Sequence, residues 1–217
     1  MNKSEYTRRF DRLYHHLLET CSAFYSWKGL QNKDFEPIYD KAKYFWSSVL
    51  IALQNEWLIN LAKCFENSTY SEKNKVVSVY ALLKHHPDAI RSKMAMEIIE
   101  KHKNVISHVQ ILRHNQLAHL NANHLANPKK LLEKFPIKFG DIEDLISSFP
   151  ELLSLLNPET GHGYQLINYT EEPEREAKHT MSEIQYFERE YNKHRERFLA
   201  GEIDDIKFPP KEDSKKD

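Results

Sequence analysis

A chain of 217 residues with 5 Gly, 9 Pro and 2 Cys has the composition of helices joined by a few loops, which excludes a barrel or sandwich of many short strands and a disulfide framework. Formal net charge is −1, from 31 basic and 32 acidic residues, so total charge gives no argument for a polyanionic partner. No run reaches the roughly 18 apolar residues needed to span a bilayer, and the N-terminus lacks the apolar segment of a signal peptide, so a cytoplasmic chain with no membrane partner is expected.

In chain order, Phe10, Leu13, Leu17, Cys21 and Phe24 recur at helical spacing and predict a first helix from about Ser4 to Trp27. A loop follows through Gly29 to Pro37. The second helix, about Ile38 to Phe65, carries Phe45, Trp46, Val49, Leu50, Leu53, Trp57, Leu58, Leu61 and Phe65. It is apolar around most of its circumference, the pattern of a central helix. Thr69-Tyr70-Ser71-Glu72 has the form of a capping box opening a third helix to about His85. Pro87 is placed to start a fourth helix that continues to about Leu120. A fifth helix spans about Asp141 to Leu156, kinked or split by Pro150, and a sixth spans Glu174 to Leu199. The tail from about Phe208 is Pro-, Lys- and Asp-rich and reads as disordered. The fold class is all-α, a helical bundle. Its organisation is a bundle core over 1–126, a C-terminal helical extension over 127–207 packed on it, and a tail over 208–217.

Charge is segregated along this order. Between Lys101 and Lys138 stand seven bases (Lys101, Lys103, Arg113, Lys129, Lys130, Lys134, Lys138) against the single acid Glu133. From Glu171 to Asp205 eleven acids face six bases. A basic window can attract a polyanion locally in a neutral protein, and the acidic helix could cover it; the plain alternative is two solvated helix faces of opposite sign.

The late part of the fourth helix, Leu112-Arg113-His114-Asn115-Gln116-Leu117-Ala118-His119, interrupts an apolar stripe with polar groups. With Val105 set at zero, Val109 falls at about 40° and Leu112 at about −20°, while Arg113 at about 80° and His119 at about −40° bracket that face. Buried without partners, such groups cost about 1–3 kcal/mol each. The structural alternative is that Arg113 pairs with an acid elsewhere and His119 is a satisfied core histidine. Six residues separate the two, about 9 Å of rise, so one straight helix does not bring guanidinium and imidazole together. Two copies about a twofold axis could gather both pairs in one cleft.

Arg, five residues, then His, late in an apolar helix, resembles the signature of the HEPN superfamily, in which an Arg is followed after four to six residues by His. The residue after the Arg is commonly Asn, Asp or His there, and is His114 here. LRHNQLAHLN and the long helix AKYFWSSVLIALQNEWLINLAKCFEN look like the corresponding stretches of the abortive-infection, AbiU-type branch. Where that branch carries an Arg and an Asp near the end of the long helix, this chain has Lys63 and Glu66. The likeness covers about Tyr6 to Asn123.

The resemblance implies an HEPN-like bundle with additional C-terminal helices, dimerising around a metal-independent endoribonuclease site without a cofactor. His119 would exchange protons, Arg113 would stabilise charge on phosphorus, and His114 and Asn115 would position the phosphate or orient the imidazole. Lys101, Lys103, Lys129 and Lys130 would hold the RNA backbone. Implied partners are a second copy, RNA and an antitoxin or inhibitor protein, in a phage-defence (abortive infection) or toxin–antitoxin system. The competing readings are a non-catalytic HEPN-like module that binds nucleic acid or a partner protein, and a structural dimer in which Arg113 and His119 stabilise the interface.

Other constellations carry less. His108, His114, His119 and His124 lack the i, i+4 spacing of a helical chelate, and the Glu-x-x-His pattern of a di-iron bundle occurs once, at Glu176 and His179. No Gly-rich phosphate loop is present; Gly161-His162-Gly163 reads as a turn. Cys21 and Cys64 read as buried thiols, and Trp27, Trp46 and Trp57 as core or interface aromatics. Glu56 and Asn60 are the polar groups of the second helix placed to face a partner, or to pair along the helix.

Overall fold

The computed structural model describes residues 1–67, 77–114, 136–159 and 167–201, and among them every regular element is helical. Helix α1 (Lys3–Gly29) starts where Asn2 Oδ1 accepts a hydrogen bond from Glu5 N at 2.8 Å, satisfying one orphan amide of the first turn. Its stripe of Tyr6, Phe10, Leu13, Leu17, Cys21, Phe24 and Trp27 is buried and forms the spine of the core. The stretch expected as a loop contains a 3-10 turn (Lys33–Phe35), and helix α2 (Glu36–Lys41) begins at its end. Phe35 and Ile38 give it an apolar side, which packs with Leu30 and Met181 in a small second cluster.

The expected single helix from Ile38 to Phe65 breaks at Ala42 (φ −135°, ψ 50°) and resumes as α3 (Lys43–Cys64). Neither Gly nor Pro marks the joint. Only the second half of α3 is deeply buried, through Trp57, Leu58, Asn60, Leu61, Ala62 and Cys64. In the first half Tyr44 is 90% exposed, Phe45 61% and Ile51 56%. An all-round apolar helix is therefore not central along its length: α1 and α6 cover its far half, while its near half touches the small cluster through Trp46, Val49, Leu50 and Leu53.

Helix α4 (Val79–Leu83) is short, because Ser78 is extended (φ −145°, ψ 163°) and its hydroxyl accepts from Ala81 N at 3.2 Å. The capping box at Thr69–Glu72 lies outside the described residues, but Ser78 excludes one unbroken helix reaching His85. Helix α5 (Ala89–Lys101) is capped by Asp88, whose Oδ1 accepts from Ile90 N at 2.9 Å and Arg91 N at 3.1 Å. Pro87 thus precedes the cap instead of opening the helix, since a carboxylate satisfies two amides that proline leaves open. A break at His102 (φ −103°, ψ 11°) separates α5 from α6 (Lys103–Leu112). It lets Ala95 and Ile99 before it, and Val105, Ile106, Val109 and Leu112 after it, face one core.

Pro150 splits the next segment into α7 (Phe139–Ser147) and α8 (Phe149–Leu156), standing in the first turn of α8, where its missing N–H leaves no bond unmade. Ile142, Leu145, Ile146, Phe149, Leu152, Leu153 and Leu156 are buried in the same cluster as α1 and α3 to α6. Tyr6 Oη donates to Leu156 O at 2.8 Å, tying the start of α1 to the end of α8.

The last helix, α9 (Ile167–Leu199), begins upstream of the expected Glu174 and carries Pro173 inside it. Its docking against α1 offsets the backbone bond that Pro173 cannot donate. The crossing is close: a Cβ on Gly29 would stand 2.7 Å from Glu174 O and 3.0 Å from Ala177 Cβ. Beside it Lys28 bridges two helices, with Glu143 of α7 at 2.5 Å and Glu174 of α9 at 3.1 Å. The expected tail from Phe208 lies outside the described residues. Among the described residues no helix is long and apolar enough to cross a membrane.

Candidate functional site

Helix α6 delivers Arg113 to the surface. Its stripe of Val105, Ile106, Val109 and Leu112 is buried against α3, and Arg113 follows directly at the edge of that face, partly exposed. There the backbone widens into a π-helical turn at Arg113 and His114, a local loosening often found where helices carry function. Two contacts fasten this end to the end of α3. Gln110 Nε2 donates to Phe65 O, a carbonyl left over at the helix terminus, and Arg113 Nη1 donates to Glu66 Oε2 at 3.5 Å.

The Arg113–Glu66 pair is long and lies at the surface, with side chains 30% and 36% exposed. Such a pair contributes no more than about 1 kcal/mol, so an anion of better geometry can replace the carboxylate. Glu66 is the partner that sequence reasoning did not name for Arg113. The signal was its position, where the related branch carries another acid. His114 is exposed beside Arg113. Asn115 and His119 lie outside the described residues.

Of the four lysines expected to hold RNA, Lys101 and Lys103 are exposed at the α5–α6 joint, and Lys103 Nζ pairs with Glu100 at 3.0 Å. Lys129 and Lys130 lie outside the described residues. Tertiary structure brings acids to this basic stretch: Asp141 and Asp144 of α7 line a cleft of about 270 Å3 with Lys101, His102, Asn104 and Val105. His102 is only 8% exposed. Burial, and then the charge of Lys101, hold its pKa below the ordinary histidine value against the opposing pull of Asp144.

The acids of α9 turn elsewhere. Glu174 pairs with Lys28 and with Lys178 at 2.6 Å, and Glu188 pairs with Lys41. Glu174 loses hydration on burial, yet its pKa falls below the usual glutamate value because the hydrogen bonds from Lys178 and Lys28 prevail. In the described residues, then, the acidic helix is engaged with α1, α2 and itself instead of lying on Lys101 and Lys103. Glu56 accepts from Asn60 Nδ2 at 2.7 Å within α3, the intrahelical pairing weighed for these two. Cys21 and Cys64 are free, buried thiols; burial pushes the Cys21 pKa up to about 12 and raises that of Cys64 further. Among the described residues no three His, Cys, Asp or Glu side chains converge as a metal site requires.

In comparison with protein families, the model of the HEPN AbiU2 family (AbiU2) matches residues 3–193. The match runs past the stretch whose likeness was legible, to Asn123, and takes in α7, α8 and most of α9. Neither the curated proteins nor the solved structures contain a match.

Proposed function

The chain belongs to the HEPN AbiU2 family, an abortive-infection group, and from that premise we propose that it is a metal-independent endoribonuclease of a phage-defence or toxin–antitoxin system, cleaving RNA at a site shared by two copies. The observation that carries the reading is the partly exposed placement of Arg113, at the end of a helix with one buried face and held loosely by Glu66. An RNA phosphate displaces the carboxylate and takes the two-pronged hydrogen bonding of the guanidinium. The 2′-hydroxyl loses its proton to the imidazole of His119 and attacks the adjacent phosphorus, and the 5′-oxygen leaves with a proton returned by a histidine. Arg113 stabilises the charge that develops on the phosphoryl oxygens. His114 and Asn115 position the phosphate, and Lys101, Lys103, Lys129 and Lys130 hold flanking backbone. The second copy supplies the His119 that faces Arg113 across the twofold axis, and an antitoxin or inhibitor protein restrains the activity.

The test is cleavage of a mixed RNA pool by the purified chain in excess chelator. Arg113→Ala and His119→Ala should each abolish cleavage while the fold persists; activity unchanged in both refutes the reading. One observation favours a second reading, a module that binds RNA or a protein without cutting: Arg113 already has a carboxylate partner. In that case the wild type shifts RNA in a binding assay but leaves it intact, and Glu66→Gln alters the binding alone.

A further inference from the structure

The last third of α9 carries an aromatic stripe that none of the described residues covers. Phe187, Tyr191, His194 and Phe198 follow each other at spacings of four, three and four residues, the spacing of a coiled-coil seam. Stepping 100° per residue, this stripe lies about 80° around the helix from Ala177, Met181, Ile184 and Glu188, which face α1 and α2. Phe187 is 60% exposed, Tyr191 47% and Phe198 44%.

The flanking charges identify the occupant. Written forwards, 186–199 is Tyr-Phe-Glu-Arg-Glu-Tyr-Asn-Lys-His-Arg-Glu-Arg-Phe-Leu. Reversed about the point between Asn192 and Lys193, Tyr186 falls on Leu199, Phe187 on Phe198 and Tyr191 on His194. Glu188 falls on Arg197, Arg189 on Glu196 and Glu190 on Arg195. Read backwards, the segment thus sets apolar against apolar at its ends, Tyr191 against His194 near its middle, and acid against base between them. An interface between two identical chains about a twofold axis demands that property, and a contact with any other partner does not.

We propose that two copies of the chain associate through antiparallel pairing of this part of α9, with the twofold axis between Asn192 and Lys193. Phe187 of each copy packs on Phe198 of the other, at both ends of the seam. Tyr191 meets His194 in the two central layers, a polar contact that fixes the register. In an antiparallel pair the residues on one side of the seam meet their own equivalents. Glu190, which pairs with Lys193 at 2.7 Å within its own chain, therefore approaches Arg197 of the other copy on the side turned away from α2, while Glu188 keeps Lys41. The exposed half of each ring is about 100 Å2. Three rings and four flanking aliphatic stems from each copy bring the buried total to on the order of 1000 Å2, the low end for specific interfaces and suited to a reversible dimer.

This contact is separate from the shared site proposed above. Glu188 meets Lys41, just before α3, whereas Arg113 meets Glu66, just after it. The 22 residues of α3 span about 33 Å between them. A twofold axis on α9 leaves the two Arg113 side chains far apart, so each interface stands or fails without the other.

The experiment is sedimentation of the full chain over the micromolar range for the wild type, Glu190→Arg, Arg197→Glu and the double variant, with circular dichroism confirming helix content. Each single reversal sets like charges opposite one another twice across the axis and should weaken association roughly tenfold, halving the assembly mass. The double variant should recover it. Residues 190 and 197 lie two turns apart on one helix, too far for a pair within a chain, so recovery reports the contact between copies. If a second interface holds Arg113 near its mate, the mass falls from a larger assembly to a dimer; if not, from dimer to monomer. A wild type that is monomeric throughout, single variants of unchanged mass, or a double variant no heavier than the singles each overturns the proposal.

Discussion

Replacing Gly29 by alanine places one methyl group at the crossing of α1 and α9. A Cβ there meets Glu174 O at 2.7 Å, Ala177 Cβ at 3.0 Å and Glu174 Cα at 3.3 Å, so the obstacle is mostly backbone and cannot rotate away. The helices must part by several tenths of an ångström, which also lengthens the Lys28–Glu174 pair at 3.1 Å. Overpacking of this kind costs about 1–3 kcal/mol. Against it stands the gain of about 0.5–1 kcal/mol from alanine over glycine in a helix, reduced here because Gly29 is the last residue of α1. The net expectation is a loss of about 1–2 kcal/mol, or roughly 2–8 °C in Tm for a chain of this size. Gly140, in the first turn of α7, is the internal control: nothing lies within 4 Å of its added Cβ. Gly140→Ala should be neutral or stabilising by up to about 1 kcal/mol. Thermal and urea unfolding of both variants measure the contrast. A Gly29→Ala protein as stable as Gly140→Ala refutes the close crossing of α1 and α9.

Two further outcomes follow from buried polar groups. Tyr6→Phe removes the hydrogen bond to Leu156 O at the end of α8 and leaves that carbonyl without its donor; since Tyr6 is 3% exposed, urea unfolding should show a loss of about 1–2 kcal/mol, and an unchanged midpoint refutes the contact. His102 has a folded pKa below its unfolded value near 6.5, so the unfolded chain binds the proton more readily and stability should fall as pH drops below about 6.5. His102→Gln should flatten that part of the stability–pH curve, and a curve of unchanged slope shows that other groups set it.

The sequence by itself determined the helical class, the register of each apolar stripe and the family. Tyr6 to Trp27, Val105 to Leu112 and the split at Pro150 were legible because a helix buries one face and a proline interrupts its amide ladder, both local properties. The motif around Arg113 was legible for the same reason, as polar residues at the edge of an apolar stripe. Tertiary structure decided the rest. The breaks at Ala42 and His102 carry no Gly or Pro, so no local signal marks them, and they let the residues on either side face the packed clusters. Which half of α3 is buried depends on how far α1 and α6 reach along it, so Tyr44, Phe45 and Ile51 stand in solvent despite an apolar pattern. The partner of Arg113 is an acid 47 residues away, and the acids beside Lys101 and His102 come from α7. Charge on a helix is written in the chain, but what it faces depends on which helices pack together, and in this protein long-range packing set the surroundings of Arg113 and Lys101, two of the candidate side chains.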